Sequence, residues 1–253
     1  MAQYAASTAE ICRDLLGHCA ACYGEAVSDA GRVDQLNLLA RSVSKLERFV
    51  RGYENIKDPF VNTTDEILNW TFSETAADLC GAIWLLASGF YKASASSLRN
   101  AFDIAVASLY FQIRENFSEW DAGKRDTPNW GEMKQLIGTQ PSVARFNLSS
   151  GIDIVDEAHR HFRYLCAYTH TSAYARNGDP VTAINTTGSA PAFEEEYFLR
   201  GCTMASRTIS LIAILWQVTY PQIATTFPLG PLGDQSYREL FPAPFGPLAL
   251  AHQ

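Results

Sequence analysis

Ile152-Asp-Ile-Val-Asp-Glu-Ala-His-Arg-His-Phe-Arg-Tyr-Leu-Cys-Ala-Tyr-Thr-His-Thr-Ser-Ala-Tyr-Ala-Arg176 is the stretch that decides the fold. It reads as one long amphipathic helix, with Ile152, Val155, Phe162, Leu165, Cys166 and Thr169 forming an apolar stripe at three- and four-residue spacing. Acids open it (Asp153, Asp156, Glu157) and bases follow (Arg160, Arg163, Arg176), the order that the helix dipole favours. Three of the five histidines, His159, His161 and His170, lie here. Arg163 and His170 are seven residues apart, so at 100° per residue they share nearly one azimuth, two turns or roughly 10 Å along the axis. Two such groups hold one anion between them when it is about the size of a phosphodiester. The ordinary alternative is that these bases are solvated or paired with acids one turn away. The helix alone leaves both open.

Working outward, Ser149-Ser150-Gly151 leads into this helix and Asn177-Gly178-Asp179-Pro180 stops it. A Thr/Gly/Ser/Pro-rich loop over 181–191 precedes a last helix at about 192–220, whose first turn carries Glu194, Glu195 and Glu196 where the dipole favours negative charge. Upstream, helical spacing predicts elements over 4–29, 33–54 and 65–88, the third opened by Thr63-Thr64-Asp65 as an N-terminal signal. Asn55 to Pro59 breaks the pattern between the second and third. A fourth helix, about 90–117, has small residues wherever another helix must come close, with Arg99 and Asp103 one turn apart within that apolar surface. A polar loop over 118–129, a short helix at about 130–138 and a further short turn to 148 complete the series.

No strand-like alternation persists, so the fold class is all-α: a bundle of about five to seven helices. One domain over 1–220 is expected, an N-terminal helical pair (4–54) packed on a core at about 65–220. Residues 221–253 hold six of the eleven prolines, with Phe227, Phe241 and Phe245 among them. This reads as extended, polyproline-like chain that docks along its own body or on a protein partner.

The net charge of −7 argues against a protein that coats nucleic acid through a general basic field, although a local basic site is compatible with it. The six cysteines sit mostly on apolar helical faces, as reduced buried thiols rather than a disulfide framework. His18-Cys19-Ala-Ala-Cys22 has no second Cys/His pair to complete a tetrahedral site, so no metal is expected. The N-terminus lacks a signal-peptide pattern, and the most apolar run, Ile209–Val218, is shorter than the roughly 20 residues a bilayer needs. The expectation is a soluble, cytoplasmic protein without a membrane partner.

Two motifs carry a resemblance. The first is Ala95-Ser-Ser-Leu98-Arg99-Asn-Ala-Phe-Asp103, of the form Ala-x-x-x-Leu-Arg-x-x-x-Glu; the second is Arg163 with His170 after six intervening residues. Together they resemble the HEPN superfamily (higher eukaryotes and prokaryotes nucleotide-binding domains) over about residues 65–176, with the final helix as the last member of the bundle. Asp103 stands where that family more often has glutamate, and Tyr164 where a small polar residue often follows the arginine.

The resemblance implies a metal-independent endoribonuclease with no cofactor, dimeric or a higher homo-oligomer, with a composite site where the motifs face each other across the dimer. A toxin or antiphage-defence effector acting on RNA is the implied role. His170 would move the proton of the ribose 2′-hydroxyl or the leaving group, and Arg163 would hold the phosphate. Arg99 and Asp103 would position the site, and Tyr164, Tyr168 and Tyr174 would stack on bases. The alternative is a catalytically inactive bundle that binds or assembles with a partner through 221–253. A nucleotide-binding bundle is a third reading, with no sequence mark of its own. Asp156 and His159 have the spacing of half a di-iron site, but the second half is missing.

Overall fold

The computed structural model describes residues 8–55, 65–114, 119–120, 122–124, 126–169 and 192–219. Among the described residues there are eight α-helices and no strand. They are α1 (Thr8–Ala26), α2 (Ala30–Asn55), α3 (Asp65–Ala87), α4 (Tyr91–Arg114), α5 (Trp130–Gly138), α6 (Pro141–Ser150), α7 (Ile154–Thr169) and α8 (Glu195–Thr219).

α4 is the hub because its small residues admit neighbours on several sides. Ala95, Ala101, Ala105 and Ala107 are buried with Leu98, Phe102, Val106 and Leu109, and α4 packs on α3, α5, α7 and α8. The α3–α4 turn closes where the Phe90 amide donates to the Leu85 carbonyl at 2.8 Å. Gly89 sits there at φ +81°, and a Cβ at that point would lie 2.9 Å from the Ala192 carbonyl oxygen. Only glycine meets both conditions without strain.

α8 is buried along most of its length, with Trp216 edge-on to Phe72 at 4.1 Å and its indole N–H on the Ala105 carbonyl at 3.4 Å. Its start is anchored by Tyr91, whose hydroxyl accepts from the Glu194 amide at 2.8 Å and donates to the Glu194 carbonyl at 3.2 Å. Glu195 pairs with Arg32 of α2, and Glu196 with Arg200 one turn on. The sequence reading measured only a ten-residue apolar run here. The 25-residue helix is by length and composition able to cross a bilayer, yet 78% of its most apolar window is buried in the bundle, as in a core helix.

Local chemistry sets the helices around α7. Asn129 caps α5 by accepting from the Glu132 amide at 3.0 Å, and Pro141 opens α6, where its missing N–H is harmless. Asp153 caps α7 by accepting from the Val155 and Asp156 amides, and Asn147 of α6 accepts from Ile154. The described residues thus hold one helix more than the upper expectation. A contributor is α6, which the sequence reading left as a short turn.

The cysteine expectation needs correction. Cys22 and Cys202 are buried, Cys19 and Cys166 are intermediate, and Cys12 and Cys80 are exposed, all as free thiols. The Thr63-Thr64 signal, most of the break at 55–59, the continuation of the α7 stretch over 170–176, its stop at 177–180, the 181–191 loop and the 221–253 tail lie outside the described residues.

Candidate functional site

α7 packs on two sides, and that division positions the candidate residues. Its deeply buried face carries Ile154, Val155, Glu157, Ala158, His161, Leu165 and Tyr168, so Val155 and Leu165 of the predicted stripe are buried as expected. The rest of that stripe is corrected, since Ile152, Phe162, Cys166 and Thr169 are only partly buried. Tyr168 is buried too, so it is a packing residue and not a base-stacking platform. Tyr174 lies outside the described residues.

On the α4 side, Arg99 and Asp103 form the ion pair expected from their spacing, at 3.3 Å, with side chains 32% and 29% exposed. The Arg99 guanidinium lies 5.5 Å from the centre of the Phe162 ring, and burial raises the Cys166 thiol pKa against the pull of that guanidinium. Burial pushes the Asp103 carboxyl pKa up, against the pull of Arg99 and of Trp130, whose indole N–H donates to it at 3.4 Å. Trp130 is the residue that sequence reasoning missed. Its indole stacks on Phe102 of α4 and on both His159 and Phe162 of α7, at 5.8, 5.5 and 4.7 Å. An aromatic at the first position of a short helix gave no hint of this.

Arg163 is exposed and forms no ion pair among the described residues. One turn before it stands His159, partly buried, whose pKa is lowered by burial and then by Lys134 and Arg163, with Asp156 opposing. Lys134 of α5 pairs with Asp156. The structure therefore brings Arg99, Asp103, Trp130, His159 and Arg163 onto the α4–α5–α7 surface. Tyr164 turns aside, with its hydroxyl 2.9 Å from that of Tyr168 and its ring beside His161. His170 lies outside the described residues, so the structure gives no Arg163–His170 geometry.

Two polar groups lie deeper. Glu157 is paired across the α7–α8 contact with Arg207, both nearly sealed from solvent, and also with Arg160 on the rim. His161 is fully buried, its Nε2 2.8 Å from the Thr208 hydroxyl, which donates its own proton to the Met204 carbonyl at 2.8 Å. His161 must then donate from Nε2, which leaves its buried Nδ1 without a partner. Both groups brace the bundle and touch no solvent-facing site.

Two open clefts, about 490 and 450 Å³, lie against α1 and between α4 and α5, and none of the candidate residues lines either. Among the described residues no group of three or more His, Cys, Asp or Glu side chains is placed to hold a metal ion. No family model, curated protein or solved structure matches the chain.

Proposed function

We propose that this all-α protein is a HEPN-like, metal-independent endoribonuclease, a toxin or antiphage-defence effector that works as a homodimer with a composite site. The observation that carries the reading is the exposure of Arg163 on the α7 face that also holds His159 and adjoins the Arg99–Asp103 pair. A guanidinium free of ion-pair partners among the described residues is available for a phosphate. Arg163 would stabilise charge on the phosphate oxygens and His170 would transfer the proton. Arg99 and Asp103 would hold the α4 side of the site, and Tyr164, turned aside toward Tyr168, would support it from behind.

The test is cleavage of single-stranded RNA by the purified full chain in the presence of a chelator. Arg163→Ala and His170→Ala should each lower the rate by about 100-fold or more while the helical circular dichroism stays unchanged. An unaltered rate in His170→Ala removes that histidine from the mechanism.

A second reading, an inactive assembly subunit, is favoured by apolar side chains left on the surface, above all Trp84 of α3 at 58% and Leu148 of α6 at 88% exposure. Under it, truncation after residue 220 changes the oligomeric mass seen by light scattering. Identical assembly of the truncated chain argues against it.

A further inference from the structure

We infer that His159, Lys134 and Arg163 form a phosphate-binding site on the α5–α7 surface, taking a backbone phosphate of single-stranded RNA. The inference extends the nuclease reading by placing a described contact for its substrate, and it does not involve His170.

The site follows from the register of two helices. Trp130 and Lys134 are one turn apart on α5; Asp156, His159 and Arg163 are one turn apart on α7. Trp130 meets His159 and Lys134 meets Asp156, so the two helices are matched in antiparallel steps. The indole fixes the imidazole, since their rings lie 5.5 Å apart and only 10° from parallel. Among the described residues no side chain or backbone group hydrogen-bonds to the imidazole. The indole thus holds the ring in place, and neither nitrogen is engaged by a described residue.

The charge balance decides what it would bind. Lys134 of α5 and Arg163 and Asp156 of α7 act on His159, Asp153 of the α7 cap acts on Lys134, and Asp103 of α4 accepts from the indole that stacks on the imidazole. Lys134 and Arg163 each outweigh Asp156 in their effect on the imidazole, which holds its pKa below the ordinary value. Two cations thus stand beside the ring in a chain whose net charge is −7. An anion placed there reverses the sign of that effect: its charge favours the imidazolium, which then donates to a phosphate oxygen beside the two cations. The Lys134–Asp156 pair is half exposed, so exchanging its carboxylate for a phosphate requires little desolvation.

The test uses the full chain, with the histidine Cε1–H resonances followed by NMR against pH. Three conditions are compared: alone, with inorganic phosphate, and with a short single-stranded RNA oligonucleotide. The His159 pKa should rise by about one unit or more with RNA, a shift set by a phosphate charge within reach of the ring. Lys134→Met should weaken RNA binding and flatten its salt dependence by roughly 0.7–1 in log–log slope. His159→Gln should weaken binding most at low pH, where the imidazolium forms, and least at high pH.

A His159 resonance unmoved at saturating RNA overturns the inference, as does wild-type affinity in both variants. RNA cleavage with an unmoved His159 sinks this site and leaves the nuclease reading standing. A moved His159 with no cleavage by the wild-type chain does the reverse. A response to inorganic phosphate but not to RNA overturns the assignment to RNA.

Discussion

Glu157→Ala is expected to destabilise the protein by about 3–5 kcal/mol, because it leaves a guanidinium charge in the core without its carboxylate. Arg207 and Glu157 are each nearly sealed where α7 meets α8, and burial pulls the Arg207 pKa below its usual value. Against a typical total stability of about 5–15 kcal/mol, this one change brings the chain close to unfolding. The mechanism is a buried charge deprived of the Glu157 carboxylate and not the loss of a favourable contact, which gives a sharper test. The double variant Glu157→Leu/Arg207→Met removes both charges and keeps the volume, so it should recover most of the loss or exceed the wild type. Arg160 approaches the same carboxylate from the rim, with its side chain 64% exposed, and Arg160→Ala should change stability by less than about 1 kcal/mol. Urea denaturation of the three variants measures all of this. A Glu157→Ala variant within about 1 kcal/mol of wild type would show that the pair contributes nothing.

That pair also marks where the sequence stopped being informative. Positions 154, 158, 161, 165 and 168 do repeat at helical spacing, and 157 adjoins them, so the buried face of α7 was written in the chain. The expected stripe contains only Val155 and Leu165 of it, because a glutamate and a histidine interrupt its apolar pattern. Their partners, Arg207 and Thr208, lie about 50 residues downstream on another helix. Periodicity fixes which residues share a face, but the neighbouring helices decide which face turns inward. Local pairs were more legible. Arg99 and Asp103 pair as their four-residue spacing requires, and the small residues of α4 do admit close neighbours. The link between that pair and α7 was invisible, since it runs through Trp130, brought in by a short helix behind an irregular loop. The candidate surface was therefore half readable: its charged residues could be named, but the indole that joins them could not.

Below pH 6.5 the wild-type chain should lose stability through His161, by about 1.4 kcal/mol for each pH unit, down to the folded pKa of about 3. Burial alone depresses this pKa, since the imidazolium would have to exist among packed side chains, edge-on to Phe102 at 5.5 Å. In that window the unfolded chain binds a proton that the folded chain refuses. Stability therefore rises with pH between about 3 and 6.5 and is level above it. Asp78 and Asp103 work in the opposite direction, because burial raises their pKa values and protonation relieves a penalty in the folded state. The total pH profile mixes these effects, so the informative quantity is a difference. His161→Met keeps the volume and removes the titration, while Thr208 still donates to the Met204 carbonyl. The wild type minus His161→Met stability should level off above about pH 6.5 and fall by about 2 kcal/mol between pH 6.5 and 4.5. A difference that stays constant across that range would mean that the folded protein opens to admit the proton, and that His161 is less enclosed than the packing of Phe102, Tyr164 and Thr208 around it requires.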